Sequence, residues 1–165
     1  MDAISHYRFS SRSSILLSGI LVAIFTIFIL PLTPARSDNT RVYTGLVYGV
    51  AVGGYDPVSY YNKKGPKQGN KDISYSYNGA IWRFANVLNR DSFAKNPKAY
   101  APQFGGHCAW AASKGYFAKG SPKAWTIVDG KLYLNYNKAV RANWSKNISA
   151  NIKAGNNNWP KLTDR

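Results

Sequence analysis

The 165-residue chain contains one cysteine, one methionine and no glutamate; its seven acidic residues are all aspartate. A single cysteine cannot close an internal disulfide, which excludes a cross-linked small scaffold. One cysteine and two histidines fall short of the roughly four ligands of a zinc site built from Cys and His alone. Acidic groups are scarce against 22 Lys and Arg, giving a formal net charge of +15. What is plentiful is apolar and aromatic material, 45% and 15% of residues, which excludes a disordered tail and suffices for a core. The length fits one domain, at roughly 100–200 residues each.

Arg8 and Arg12 precede the uncharged stretch Ser13–Ala35, within which Ile15–Leu30 is almost wholly apolar. Pro31 and Pro34 end it, and Ala35-Arg36-Ser37 places small residues where a signal peptidase reads. This order predicts an export signal over residues 1–37 and an exported domain over 38–165. The alternative is an uncleaved anchor, because a spanning helix needs about 20 residues. Both put the domain outside the cytoplasm, periplasmic or extracellular, with membrane attachment only through the N-terminal segment. Residues 38–165 keep 19 basic and 6 acidic residues, a net charge of +13, and hold one histidine, His107, and one cysteine, Cys108.

Alternation over Val42–Val50 predicts a short strand. Asp56-Pro57 opens a turn, and residues 62–71 form a Gly-, Pro- and Lys-rich loop. Ile73, Tyr75 and Tyr77 alternate before Asn78-Gly79, with a return strand at 81–84; Asp129-Gly130 marks a second hairpin between 125–128 and 132–134. Asn89 is placed to cap a helix over 91–96. A short helix is expected after Gly105-Gly106, carrying Cys108. A longer one is expected over 138–154, with Val140, Trp144, Ile148 and Ile152 on one face and Gly155 as its stop. No internal repeat stands out. The expected architecture is a single α+β domain of β-hairpins and short helices with a longer C-terminal helix.

Asp56-Pro57-Val58, the segment Tyr75-Ser-Tyr77-Asn-Gly79-Ala-Ile-Trp82-Arg-Phe84, and Phe93 with Pro97 and Tyr100 resemble a YHS domain. With Gly105-Gly106-His107-Cys108-Ala109, the segment 129–135 and Trp159-Pro160, the chain resembles the exported YHS domain-containing (seleno)proteins, related to the TRASH-like metal-binding domains. The resemblance spans roughly Gly53–Leu162. It implies a small metal- or ligand-binding module. The thiols of metal-binding members are replaced here by Ser59, Ala85 and Asn89, so the usual ligand set does not carry over.

The adjacent pair His107-Cys108 therefore becomes the focus. A Cys just inside a helix start after two glycines is favoured as thiolate by backbone N–H groups. Neighbours on a helix point about 100° apart, which is a poor arrangement for a Cys–His nucleophilic pair. A binding module is thus expected rather than an enzyme. The leading reading is metal handling, with copper as the cofactor, by Cys108 and His107, with Asp56 as a third ligand. The alternatives are thiol redox chemistry at Cys108, a buried structural cysteine, and a structural or polyanion-binding surface protein. Tyr55, Tyr60 and Trp110 are the candidates for a ligand pocket beside Cys108. Nucleic acid is not expected as a partner, because the lysines are scattered and the domain is exported.

Overall fold

The computed structural model describes residues 41–62 and 64–164, and the expected export signal lies outside them. The chain is an α+β fold with two separate two-stranded antiparallel sheets. A 3₁₀ turn at Ala51–Gly54 and another at Pro57–Tyr61 lead to strands β1 (Asn70–Tyr77) and β2 (Ala80–Phe84). Helices α1 (Val87–Lys95) and α2 (Pro97–Tyr100) follow. A 3₁₀ turn at Gln103–Gly106 then leads to α3 (Ala109–Ser113), β3 (Ser121–Val128), β4 (Lys131–Asn135), α4 (Lys138–Ser145) and α5 (Ile148–Thr163).

Both hairpins close where Asn-Gly and Asp-Gly foresaw. Asn78 and Gly79 have φ of 47° and 70°, and Asp129 and Gly130 have 48° and 69°. Two successive left-handed residues match the right-handed strand twist and select Asn or Asp followed by Gly.

Other expectations need correction. Val42–Val50 is not a strand; it makes the isolated bridges Val47 to Val50 and Val50 to Ile81, and the Tyr43 N–H donates to Gly105 O at 2.9 Å. Helix α1 is capped by Asn86, whose side chain accepts the Asn89 N–H at 2.9 Å. Helix α1 stops before Pro97, which also opens α2, as its fixed φ suits a first helical position. The helix expected over 138–154 is two helices. Asn147 breaks it with φ −148° and ψ 69°, and caps α5 by accepting the Ala150 N–H at 3.4 Å. Gly155 lies inside α5, where a Cβ would stand 2.6 Å from Phe104 Cζ; it permits close packing and stops nothing.

The absence of a repeat also needs correction, because residues 51–97 and 103–148 follow one plan. Val52 and Gly53 adopt left-handed φ of 53° and 59°, and Phe104 and Gly105 adopt 54° and 57°. Such φ is unfavourable for the non-glycine members, so its recurrence is not a default of the chain. The Asp56 N–H donates to Lys67 O at 2.9 Å, and the Cys108 N–H donates to Ala118 O at 2.9 Å. Tyr55 bridges Gln68, and His107 bridges Lys119. Both hairpins carry an irregularity at the same place, Asn70/Ser74 and Ser121/Trp125. Asn86 and Asn137 cap the next helix alike, by accepting the N–H three residues on. Trp82 lies against Phe93 at 5.0 Å and 33°; Tyr133 lies against Trp144 at 5.4 Å and 36°. Asn96 and Asn147 share one backbone conformation.

The correspondence runs at an offset of 52 up to Cys108 and 51 from Ala118 onward, so the second half has a loop one residue shorter. Each half has its own apolar cluster. Val52, Tyr60, Trp82, Phe84 and Phe93 form the first, joined by Leu132 and Leu134; Phe104, Ala109, Ala112, Tyr133 and Trp144 form the second. All of this lies within one compact unit.

Candidate functional site

Asp56 and Cys108 occupy the same place in the two halves. Asp56 is fully buried. Its Oδ1 accepts the Val58 N–H at 2.9 Å and the Ser59 N–H at 3.3 Å, which caps the 3₁₀ turn. Its Oδ2 accepts the Ala85 N–H at 2.9 Å and Asn89 Nδ2 at 2.6 Å. With four donors on two oxygens, the carboxylate is a structural tie between the turn, the end of β2 and α1.

In the second half the same tie is divided between two side chains. The residue after β4, Tyr136, stands where Ala85 stands in the first half, and its N–H donates to Cys108 Sγ at 3.3 Å. Trp110 stands where Val58 stands, but its N–H donates to Asn135 Oδ1 at 3.2 Å. The Cys108 Sγ–H in turn reaches that oxygen at 3.8 Å. Cys108 is the residue before α3 rather than within it, and α3 has only five residues. Cys108 is 1% exposed and bridges Leu134 of β4. Asn135 is fully buried beside it, and its Nδ2 has no hydrogen-bond partner.

His107 turns to a different environment. Its ring lies among Phe117 (4.8 Å), Tyr43 (5.2 Å) and Trp159 (5.7 Å). Nδ1 is buried without a hydrogen-bond partner. Burial pushes the imidazole below its ordinary pKa; the backbone carbonyls of Ala118 and Arg41 work the other way, and the Arg41 charge adds to the lowering. Among the described residues no three His, Cys, Asp or Glu side chains are gathered as a metal would need. The expected trio of Cys108, His107 and Asp56 is therefore not brought to one point.

The three pocket candidates also separate. Tyr60 is core: it is buried, and its hydroxyl donates to Pro122 O at 2.9 Å. Burial is the main cause raising its pKa, with Tyr55 and Asp56 adding to it. Tyr55 lines a hollow of about 340 Å³ with Leu46, Val47 and Lys119. Trp110 lines another, beneath Lys114, whose Nζ lies 4.6 Å from the indole centroid. Cys108 lines none of these.

One cleft was not foreseen. It has a volume of about 370 Å³ and takes residues from both halves. Tyr77, Asn78 and Trp82 come from the first hairpin, Lys98 from α2, and Gln103 and Phe104 from the second glycine turn. Lys131 comes from β4, and Asn156 and Trp159 from α5. Among the described residues no acidic side chain lines it. The sequence held one hint, the Trp159-Pro160 pair; the lysines carried no distinguishing pattern. No family model, no curated protein and no solved structure matches the chain.

Proposed function

We propose that the exported domain is a YHS-like binding module that takes an anionic ligand, an acidic sugar, in the cleft between its two halves. The carrying observation is the lining: two lysines, three carboxamides and aromatic side chains, with no carboxylate among the described residues. Ligand sites are typically apolar hollows with a few placed polar groups. Lysines supply point charges for a carboxylate, carboxamides bond hydroxyls, and aromatic rings cover the C–H face of a sugar. The charge balance supports the same reading. Basic residues outnumber acidic ones 22 to 7, and the fully buried Asp56 is consumed by hydrogen bonds.

The test is calorimetric titration of residues 38–165 with oligogalacturonate and with a neutral malto-oligosaccharide. Binding of the acidic probe only is expected, weakened at least about tenfold by Lys98→Gln with Lys131→Gln, since each charged contact is worth about 1 kcal/mol or more. Equal binding of both sugars, or no change in the double variant, rejects the cleft as the site.

A thiol function at Cys108 is the second reading, with or without copper. It is favoured by the polar groups around Sγ: the Tyr136 N–H and the unpartnered Nδ2 of Asn135. Copper titration with Cys108→Ser as control decides its metal form, and equal uptake by both proteins removes it.

A further inference from the structure

Ahead of the first 3₁₀ turn, the chain makes a tight turn in which the Val50 N–H donates to Val47 O at 2.9 Å. Tyr48, at its tip, is fully exposed, and Leu46 and Val47 beside it are 42% and 39% exposed. Ile81, 45% exposed, lies against the same turn and donates its N–H to Gly49 O at 2.9 Å. Leu46 and Val47 line the 340 Å³ hollow together with Pro122, Tyr136, Lys119 and Lys123. Tyr136 is 43% exposed, and Lys119 Nζ lies 5.0 Å from its ring centroid. Lys119 and Lys123 are exposed, and among the described residues no acidic side chain lines the hollow. Apolar side chains gathered at a surface and rimmed by charge mark an interaction site rather than ordinary surface.

We infer that this turn is a docking point for an anionic lipid surface, with Leu46, Val47 and Tyr48 entering the headgroup region and Lys119 and Lys123 meeting lipid phosphates. Tyrosine suits that boundary because its ring is apolar and its hydroxyl is wet. Lysines near an anionic bilayer are attracted, and apolar side chains then anchor the contact. A second copy of the chain fits the patch less well, since two lysine rims would face each other.

The experiment uses residues 38–165, which contain both apolar clusters. The domain is sedimented with vesicles of phosphatidylcholine alone and of phosphatidylcholine with 30% phosphatidylglycerol. We expect partition to the anionic vesicles, falling at least tenfold in Leu46→Ser/Tyr48→Ser and in Lys119→Gln/Lys123→Gln. Circular dichroism melts matching the parent confirm that these exposed changes leave the fold intact. Either double variant partitioning like the parent, or no partition of the parent, overturns the proposal. So does self-association that the Tyr48 variant abolishes without any vesicle binding. Lys98→Gln/Lys131→Gln, which alters the sugar cleft alone, is expected to bind vesicles normally, so the two readings fail separately.

Discussion

In the first half of the molecule a buried carboxylate ties a turn, a strand end and a helix together. In the second half a thiol and a carboxamide make the corresponding bonds. Asp56 Oδ1 on the Val58 N–H becomes Asn135 Oδ1 on the Trp110 N–H, and Asp56 Oδ2 on the Ala85 N–H becomes Cys108 Sγ on the Tyr136 N–H. Asn89, which donates to Asp56, corresponds to Val140, which donates nothing from its side chain. Hydrogen bonds to a carboxylate are roughly twice as strong as neutral ones, and sulfur is a weak acceptor. The second half therefore has the weaker polar tie and replaces it with cover. Where the first half has the four-residue α2, the second has the sixteen-residue α5. From α5, Asn158 Nδ2 donates to Ala112 O and Ser113 O at 3.1 Å each, fixing α3 from outside. The same backbone is thus held by polar bonds on one side and by an added helix on the other.

The largest effect that sharpens this comparison is expected at Asp56. Asp56→Ala leaves buried donors at Val58, Ser59 and Ala85 without their acceptor. An unsatisfied buried donor costs about 1–3 kcal/mol, so a loss of about 3–5 kcal/mol in urea denaturation of residues 38–165 is expected. A loss under about 1 kcal/mol would show that water replaces the carboxylate easily and that the tie is not structural.

Cys108 should matter less. Cys108→Ala removes one weak acceptor and a small buried volume, with an expected cost of about 1–2 kcal/mol. The native thiol, 1% exposed, should react with a disulfide reagent at least about 100-fold more slowly than in urea, because reaction requires local opening. A fast native reaction would restore the thiol reading and end the equivalence with Asp56. A cost equal to that of Asp56→Ala would mean that the second half leans on its polar tie as heavily as the first.

The hairpins, the α+β class and the apolar positions Trp144, Ile148 and Ile152 were legible because local rules decide them. Asn-Gly and Asp-Gly turns and a 3.6-residue period need no tertiary knowledge. Helix ends were less legible: Asn86 and Asn89 are both good caps, and packing chose between them. Gly155 reads as a stop until Phe104 is seen against it. The repeat was hidden because the halves retain few identical residues beyond turn and cap positions, such as Gly53 and Gly105, Gly79 and Gly130, or Asn86 and Asn137. The core pairs change chemistry instead, Trp82 on Phe93 becoming Tyr133 on Trp144. That same divergence made His107-Cys108 look singular, when Tyr55-Asp56 holds the matching place. The cleft escaped because it joins side chains from distant segments, and lysines at 98 and 131 have no spacing that announces a site.

The smallest expected effect concerns the other member of that pair. Tyr55 is replaced in the second half by His107, so a group whose ordinary pKa lies near neutrality stands among the rings of Tyr43, Phe117 and Trp159. Burial lowers the native pKa of His107, while the unfolded chain keeps a value of about 6.5. The unfolded state therefore binds more protons in the interval between the two values. Stability is full above about pH 6.5 and declines as pH falls below it, until His107 is protonated in the native state as well. One proton sets a ceiling of about 1.4 kcal/mol per pH unit, and partial exposure of the ring makes the slope shallower. Urea midpoints measured from pH 7.5 to 5 should decline in the parent and stay flatter in His107→Phe. A variant that declines as steeply as the parent would assign acid sensitivity to the aspartates, and the difference between Tyr55 and His107 would then be one of shape alone.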